Sequence, residues 1–137
     1  MTYVIYAGKR RKMNESEMDV AATLNELVDV THLANKKWWL NLEDNTPKER
    51  NVPEMLMLIT SELAEAMEGH RKGLQDDKLP HRKMIEVELA DALIRLFDLA
   101  GGLKMDLGGA YVEKMAFNES RADHKRENRL AENGKKY

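Results

Sequence analysis

What most constrains this chain is the placement of its glycines and prolines, which fall between long apolar-periodic segments rather than inside them. That punctuation belongs to a helical domain. Asn14 followed by Glu17 makes a capping box, and Met18, Ala21, Leu24 and Val28 then recur at helical spacing, so a long first helix is expected from Glu15 to Leu40. Thr46, Pro47 and Glu49 offer a second cap signature, but Pro53 follows too soon for more than a connector. A second long helix is expected from Pro53 to Gly73, a third from His81 to Ala100 ended by Gly101 and Gly102, and a fourth from Asp106 to Arg121. The stretch Leu74 to Pro80 is polar and without period, hence a loop. Only Met1 to Tyr6 hints at a strand, and one short segment cannot make a sheet. The expected fold is therefore all-α, a four-helix bundle core with a long first helix over residues 14–121. A basic N-terminal arm (1–13) and a polar, basic C-terminal tail (122–137) flank it.

A chain of 137 residues supports one modest core. Sharing a helix face between subunits would add apolar burial, so a homo-oligomer, dimer or tetramer, is expected to complete the bundle. The absence of cysteine removes disulfides and thiolate metal sites, leaving oxygen and imidazole as the available ligands. The apolar run at the N-terminus is too short for a signal peptide, and no stretch approaches the ~20 apolar residues of a membrane span, so a cytoplasmic protein without membrane contact is expected. Basic and acidic residues nearly cancel at 22 against 24, which does not nominate a nucleic-acid binder. Their distribution is more telling: both ends are basic, whereas Glu54 to Asp98 holds ten acids against six bases, as a cation site in the middle requires.

Glu62 and Glu65 lie three apart, so on a helix they point within about 60° of each other and reach one cation together. Glu88 and Asp91 repeat the pattern on the next helix. Glu62 sits among Met55, Leu58, Ile59 and Ala66, and Glu88 among Met84, Ile85, Ala92 and Leu99, which turns these carboxylates inward. Burying like charges together is costly unless protons or cations compensate, and all-oxygen ligands favour Mg²⁺ or Mn²⁺. Salt bridges to Arg71, Arg95 or Lys114 are the structural alternative. A di-iron bundle would need Glu-x-x-His on two helices, and only Asp29-x-x-His32 comes close.

Glu62-x-x-Glu65 within "SELAEAMEGHRKG", then Glu88-x-x-Asp91 within "EVELADALIRLFDLAGGL", followed by "EKMAFNESR", resembles the MazG-like all-α nucleoside triphosphate pyrophosphohydrolases over roughly residues 52–136. The resemblance implies a helical core assembled as dimers or tetramers. It also implies Mg²⁺-dependent hydrolysis of a nucleoside triphosphate, on family grounds a deoxynucleotide, to the monophosphate and pyrophosphate. Glu62, Glu65, Glu88 and Asp91 would hold the metal, and one of the first pair could also orient or deprotonate the attacking water. The protein's task in such chemistry is to neutralise the triphosphate and position that water. A non-catalytic helical adaptor, with the acids in a salt-bridge network, and a phosphoribosyl-ATP pyrophosphohydrolase-like enzyme are the competing expectations.

Other residues fall around this site. Asp98, one step along the Asp91 face, is either an auxiliary ligand or a partner of Lys104. Lys114, Asn118, Arg121 and Lys125 fall on one stripe of the fourth helix, where the first three are expected to meet phosphate oxygens. Lys36, Trp38 and Trp39 stand where the resemblance puts an aromatic pair near the nucleotide. A tryptophan face could stack on a base, or the pair could be core or interface aromatics. Lys135 and Lys136 either fold over phosphate or belong to an unbound tail. The four histidines are expected at the surface, and the nine methionines in the core or an interface. The "GKRRK" arm reads as a solubilising terminus, so nucleic-acid binding is not expected. No glycine loop has the order of a phosphate-binding P-loop, which leaves recognition to metal and side chains.

Overall fold

The computed structural model describes residues 3–137, and Met1 and Thr2 of the expected basic arm lie outside it. The chain is mostly helical. In order it comprises β1 (Tyr3–Tyr6), β2 (Lys9–Lys12), α1 (Glu15–Asn35), a 3₁₀ turn (Lys36–Trp39), α2 (Val52–Lys72), α3 (Met84–Gly102), α4 (Leu107–Ser120), a second 3₁₀ turn (Ala122–His124) and α5 (Arg126–Leu130). Among the described residues no helix is long and apolar enough to cross a membrane. Two compact units divide the chain, one formed by residues 1–26 and 106–137, the other by residues 27–105.

The first unit corrects the reading of the N-terminus as an arm. β1 and β2 pair antiparallel from Tyr3 opposite Lys12 to Tyr6 opposite Lys9. The reversal is made by Ala7 and Gly8, both at positive φ (48° and 74°), the conformation a two-residue hairpin turn demands. Val4 of β1 is buried with Met13 and with Val112 and Ala116 of α4, so the ribbon gains the apolar backing that an isolated hairpin lacks. The expected capping box of α1 is present: the Glu17 amide donates to Asn14 Oδ1 and the Asn14 amide to Glu17 Oε2, both at 2.9 Å. Arg11 of β2 grips the same Glu17 with two bonds of 2.7 Å, and this pairing draws the Glu17 carboxyl down to about 2. α4 starts from Asp106, whose Oδ1 accepts from the Gly109 amide at 2.9 Å and from Asn25 Nδ2 at 2.8 Å.

The second unit is built on the antiparallel packing of α2 against α3. Asn51 caps α2 by accepting from the Glu54 amide, with Pro53 in the first turn where no N–H is needed. Gly73, at φ 63°, closes α2 in the left-handed conformation expected of it. The loop that follows is less open than its composition suggests. Buried Asp76 accepts from the amides of Lys78 and Leu79, and Gln75 bridges to Lys83. α3 begins three residues later than the periodicity predicts, because Leu79 to Arg82 close a turn and Glu86 reaches back to the Lys83 amide. It also runs past Ala100. Gly101 and Gly102 are its last helical residues, not its stop, and they are small because His32 and Trp39 press on them. A Cβ at Gly102 would lie 2.1 Å from the Trp39 ring. Lys104, at φ 54°, takes the left-handed position instead.

Candidate metal centre

The buried positions along α2 and α3 explain how carboxylates come together. Ala66 and Gly69 follow Glu62 by one and two turns, and Ala92 follows Glu88 by one. Small side chains at these positions let the two backbones approach, and the glutamates then meet across the seam. Glu62, Glu65 and Glu88 each offer an oxygen, and the three atoms lie within 4.8 Å of one another. Glu62 and Glu88 are buried, at 7% and 8% exposure, while Glu65 opens to solvent. Asp91, expected as the fourth ligand, stands outside this trio, exposed and one turn further along α3.

Crowding has an electrostatic consequence. Burial, then the charge of Glu65, then the hydrogen bond and charge of Glu62, then Asp91 push the Glu88 carboxyl up to about 7. Burial and three neighbouring carboxylates thus disfavour the ionised form of Glu88, and a nearby positive charge would relieve them. Glu62 finds one in Arg95, whose Nε donates to Oε1 at 2.5 Å. All-oxygen donors, short mutual distances and this crowding of carboxylates fit a hard divalent cation such as Mg²⁺.

Beside the cluster a cleft of about 460 Å³ opens in the second unit, walled by Asn35, Trp38, Arg50, Glu62, Asp91, Arg95 and Asp98 and floored by Met55, Leu58 and Ile94. Small-molecule sites commonly measure about 300–1,000 Å³. One wall is braced by a polar network. Trp39 Nε1 and His32 Nδ1 both donate to Asp98 Oδ1 at 2.9 Å. The His32 and Trp39 rings meet edge to face at 5.3 Å. Arg50 donates to the Trp38 carbonyl at 2.6 Å and lies 5.4 Å over the Trp39 ring.

The network revises several expectations. Asp98 pairs neither with Lys104 nor with the glutamate trio; it anchors Trp39. His32 is half-buried rather than a surface residue. The tryptophan pair splits its roles, with Trp38 at 59% exposure lining the cleft and Trp39 holding its wall. Lys36 is exposed in the 3₁₀ turn and does not line the cleft. Lys114, Asn118 and Arg121 belong to the first unit. Lys114 Nζ lies 4.9 Å over the Phe117 ring. α4 ends at Ser120, and Arg121 adopts extended backbone and pairs with Asp123, so neither Arg121 nor Lys125 continues the helical stripe. Arg50 and Asn35 were not singled out as cleft residues from the sequence. Arg50 lies in an aperiodic connector that carries no signal, whereas Asn35 ends the first helix beside the tryptophans. Comparison with protein-family models, with curated proteins and with solved structures returns no match to this chain.

Proposed function

We propose that this chain is a Mg²⁺-dependent nucleoside triphosphate pyrophosphohydrolase of the MazG-like all-α class. It cleaves a nucleotide, preferentially a deoxynucleotide, between its α and β phosphates, with Mn²⁺ as a substitute metal. It works in the cytoplasm as a homodimer or homotetramer that completes the helical bundle. The observation that carries this reading is the convergence of Glu62, Glu65 and Glu88 beside a cleft of small-molecule size, with the Glu88 carboxyl pushed up to about 7 by burial and by the neighbouring carboxylates.

In this reading Glu62, Glu65 and Glu88 would hold the metal, and Asp91, one turn along α3, would be the further carboxylate that the resemblance assigns to it. A bound Mg²⁺ would supply charge neutralisation for the triphosphate and would favour deprotonation of the attacking water. Glu65, exposed beside two buried partners, is the best placed of the first pair to orient a water and take its proton. Trp38 offers an exposed aromatic face to a base, and Asn35 a side-chain amide already fixed by its bond to the Thr31 carbonyl at 2.9 Å. Arg50, held at the cleft wall by the Trp38 carbonyl, would offer its remaining donors to anionic groups of the substrate. Lys114, Asn118, Arg121 and Lys36 remain assigned to substrate on resemblance alone.

The test is pyrophosphate release from a panel of ribo- and deoxynucleoside triphosphates with Mg²⁺, comparing the native protein with Glu65→Gln. Release by the native protein and its loss in the variant support the proposal. Release by neither refutes it. One observation favours a second reading. The Glu62–Arg95 pair is the kind of contact that a non-catalytic helical adaptor would retain as a structural salt bridge. An adaptor gains no thermal stability from Mg²⁺ with nucleotide, whereas a binder is stabilised by mass action. A phosphoribosyl-ATP pyrophosphohydrolase-like activity is separated by its products.

A further inference from the structure

Arg95 occupies a distinctive place on α3. Glu88, Asp91, Arg95 and Asp98 follow one another at three- and four-residue steps, a single stripe in which Arg95 is the one cation. From that stripe its guanidinium crosses to α2 and takes Glu62 Oε1, an oxygen of the same carboxylate that joins the glutamate trio. The two partners are unequally buried: the Glu62 side chain is 9% exposed, the Arg95 side chain 43%. Glu62 is thus the buried partner of the pair, and Arg95 the one that reaches solvent. Arg95 also lines the cleft, so a departing guanidinium moves through space that is already open.

We propose that Arg95 is an internal counter-cation that a divalent metal displaces from Glu62, and that the displaced guanidinium then binds phosphate oxygens of the substrate within the same cleft. This rests on the metal-centre reading above and deepens it by assigning one residue two successive partners. A guanidinium and a divalent cation satisfy the same carboxylate by the same attraction, so they compete. Once displaced, the guanidinium has five donors in a planar fork suited to phosphate. Metal binding and anion binding are then coupled through one side chain, and the coupling acts in both directions. A purely structural Arg95 would behave differently, since its removal would loosen Glu62 and weaken both kinds of binding.

The experiment measures Mn²⁺ binding by the loss of the free-ion paramagnetic resonance signal, at pH 8 on the full chain, for the native protein, Arg95→Gln, Arg95→Lys, Arg50→Gln and Glu62→Gln. Circular dichroism checks that each is folded. Inorganic pyrophosphate is then titrated onto each Mn²⁺-saturated protein. Arg95→Gln is expected to bind Mn²⁺ roughly two- to fivefold more tightly, the range open to loss of a competing ion pair. It is expected to bind pyrophosphate at least about fivefold more weakly, the opposite sign. Arg95→Lys should fall between, and it carries the test if Arg95→Gln does not fold. Glu62→Gln should weaken Mn²⁺ binding. Unchanged or weaker Mn²⁺ binding by Arg95→Gln overturns the proposal. So does an equal gain in Arg50→Gln, which would mark a general charge effect, or failure of the native protein to bind Mn²⁺. Opposite-sign effects in a protein that releases no pyrophosphate from any nucleotide would uphold the Arg95 exchange and refute the hydrolase reading.

Discussion

Replacing Glu88 by Gln removes one charge from the carboxylate cluster while keeping a donor that can serve Glu62. The folded-state pKa of Glu88 is raised from 4.5 to about 7 by burial and by Glu65, Glu62 and Asp91. The folded chain therefore binds more protons than the unfolded chain between those values. The associated stability is fully present below pH 4.5 and is lost as pH rises through 7. At about 1.4 kcal/mol per pH unit the whole interval corresponds to about 3 kcal/mol. Because Glu65 and Asp91, two of the charges acting on Glu88, are exposed to water, screening reduces this to about 1–2 kcal/mol. In EDTA, the Glu88→Gln protein should accordingly melt about 3–6 °C above the native protein at pH 8 and within about 1 °C of it at pH 4.5. Thermal denaturation followed by circular dichroism at several pH values reads this directly. A native melting temperature that does not fall between pH 5 and 8, or a Glu88→Gln protein less stable than native at pH 8, would refute the electrostatic reasoning.

Mg²⁺ should raise the melting temperature of the native protein more at pH 8 than at pH 5.5, because a protonated Glu88 must release its proton before it can bind metal; equal shifts at the two pH values would contradict this. Asp98→Ala removes the shared acceptor of Trp39 and His32 and should cost about 1–3 kcal/mol in urea unfolding. Gly102→Ala drives a methyl into the Trp39 ring, so its fluorescence spectrum should shift and its stability fall by about 1–3 kcal/mol. Gly73→Ala meets no neighbour and should lose only the left-handed preference of glycine, about 1 kcal/mol by the same measurement.

The elements readable in advance were those whose signals are local. The Asn14–Glu17 box, Pro53 and Gly73 acted where they stand, and the i, i+3 spacing of Glu62 with Glu65 brought both carboxylates to one face of α2. The features that escaped depend on contacts distant in the chain. The hairpin turns through Ala7, a residue with no preference for positive φ, and β1 is held by the burial of Val4 with Val112 and Ala116 of α4. Gly101 and Gly102 read as a helix stop, yet the ring packed on Gly102 belongs to Trp39, more than sixty residues earlier. Asp98 was read as an auxiliary ligand or a partner of Lys104, because its actual donors, His32 and Trp39, lie 66 and 59 residues back. Arg95 was legible only as one of three candidate salt-bridge partners, since sequence spacing places it beside Asp91 but says nothing of which acid across the seam it chooses.

The most direct test of the central claim is phosphorus NMR of a deoxynucleoside triphosphate incubated with the protein and Mg²⁺. The account predicts loss of the triphosphate resonances with growth of one monophosphate and one pyrophosphate signal. Formation of diphosphate with orthophosphate, or a triphosphate spectrum that does not change across the common and modified deoxynucleotides, would contradict it.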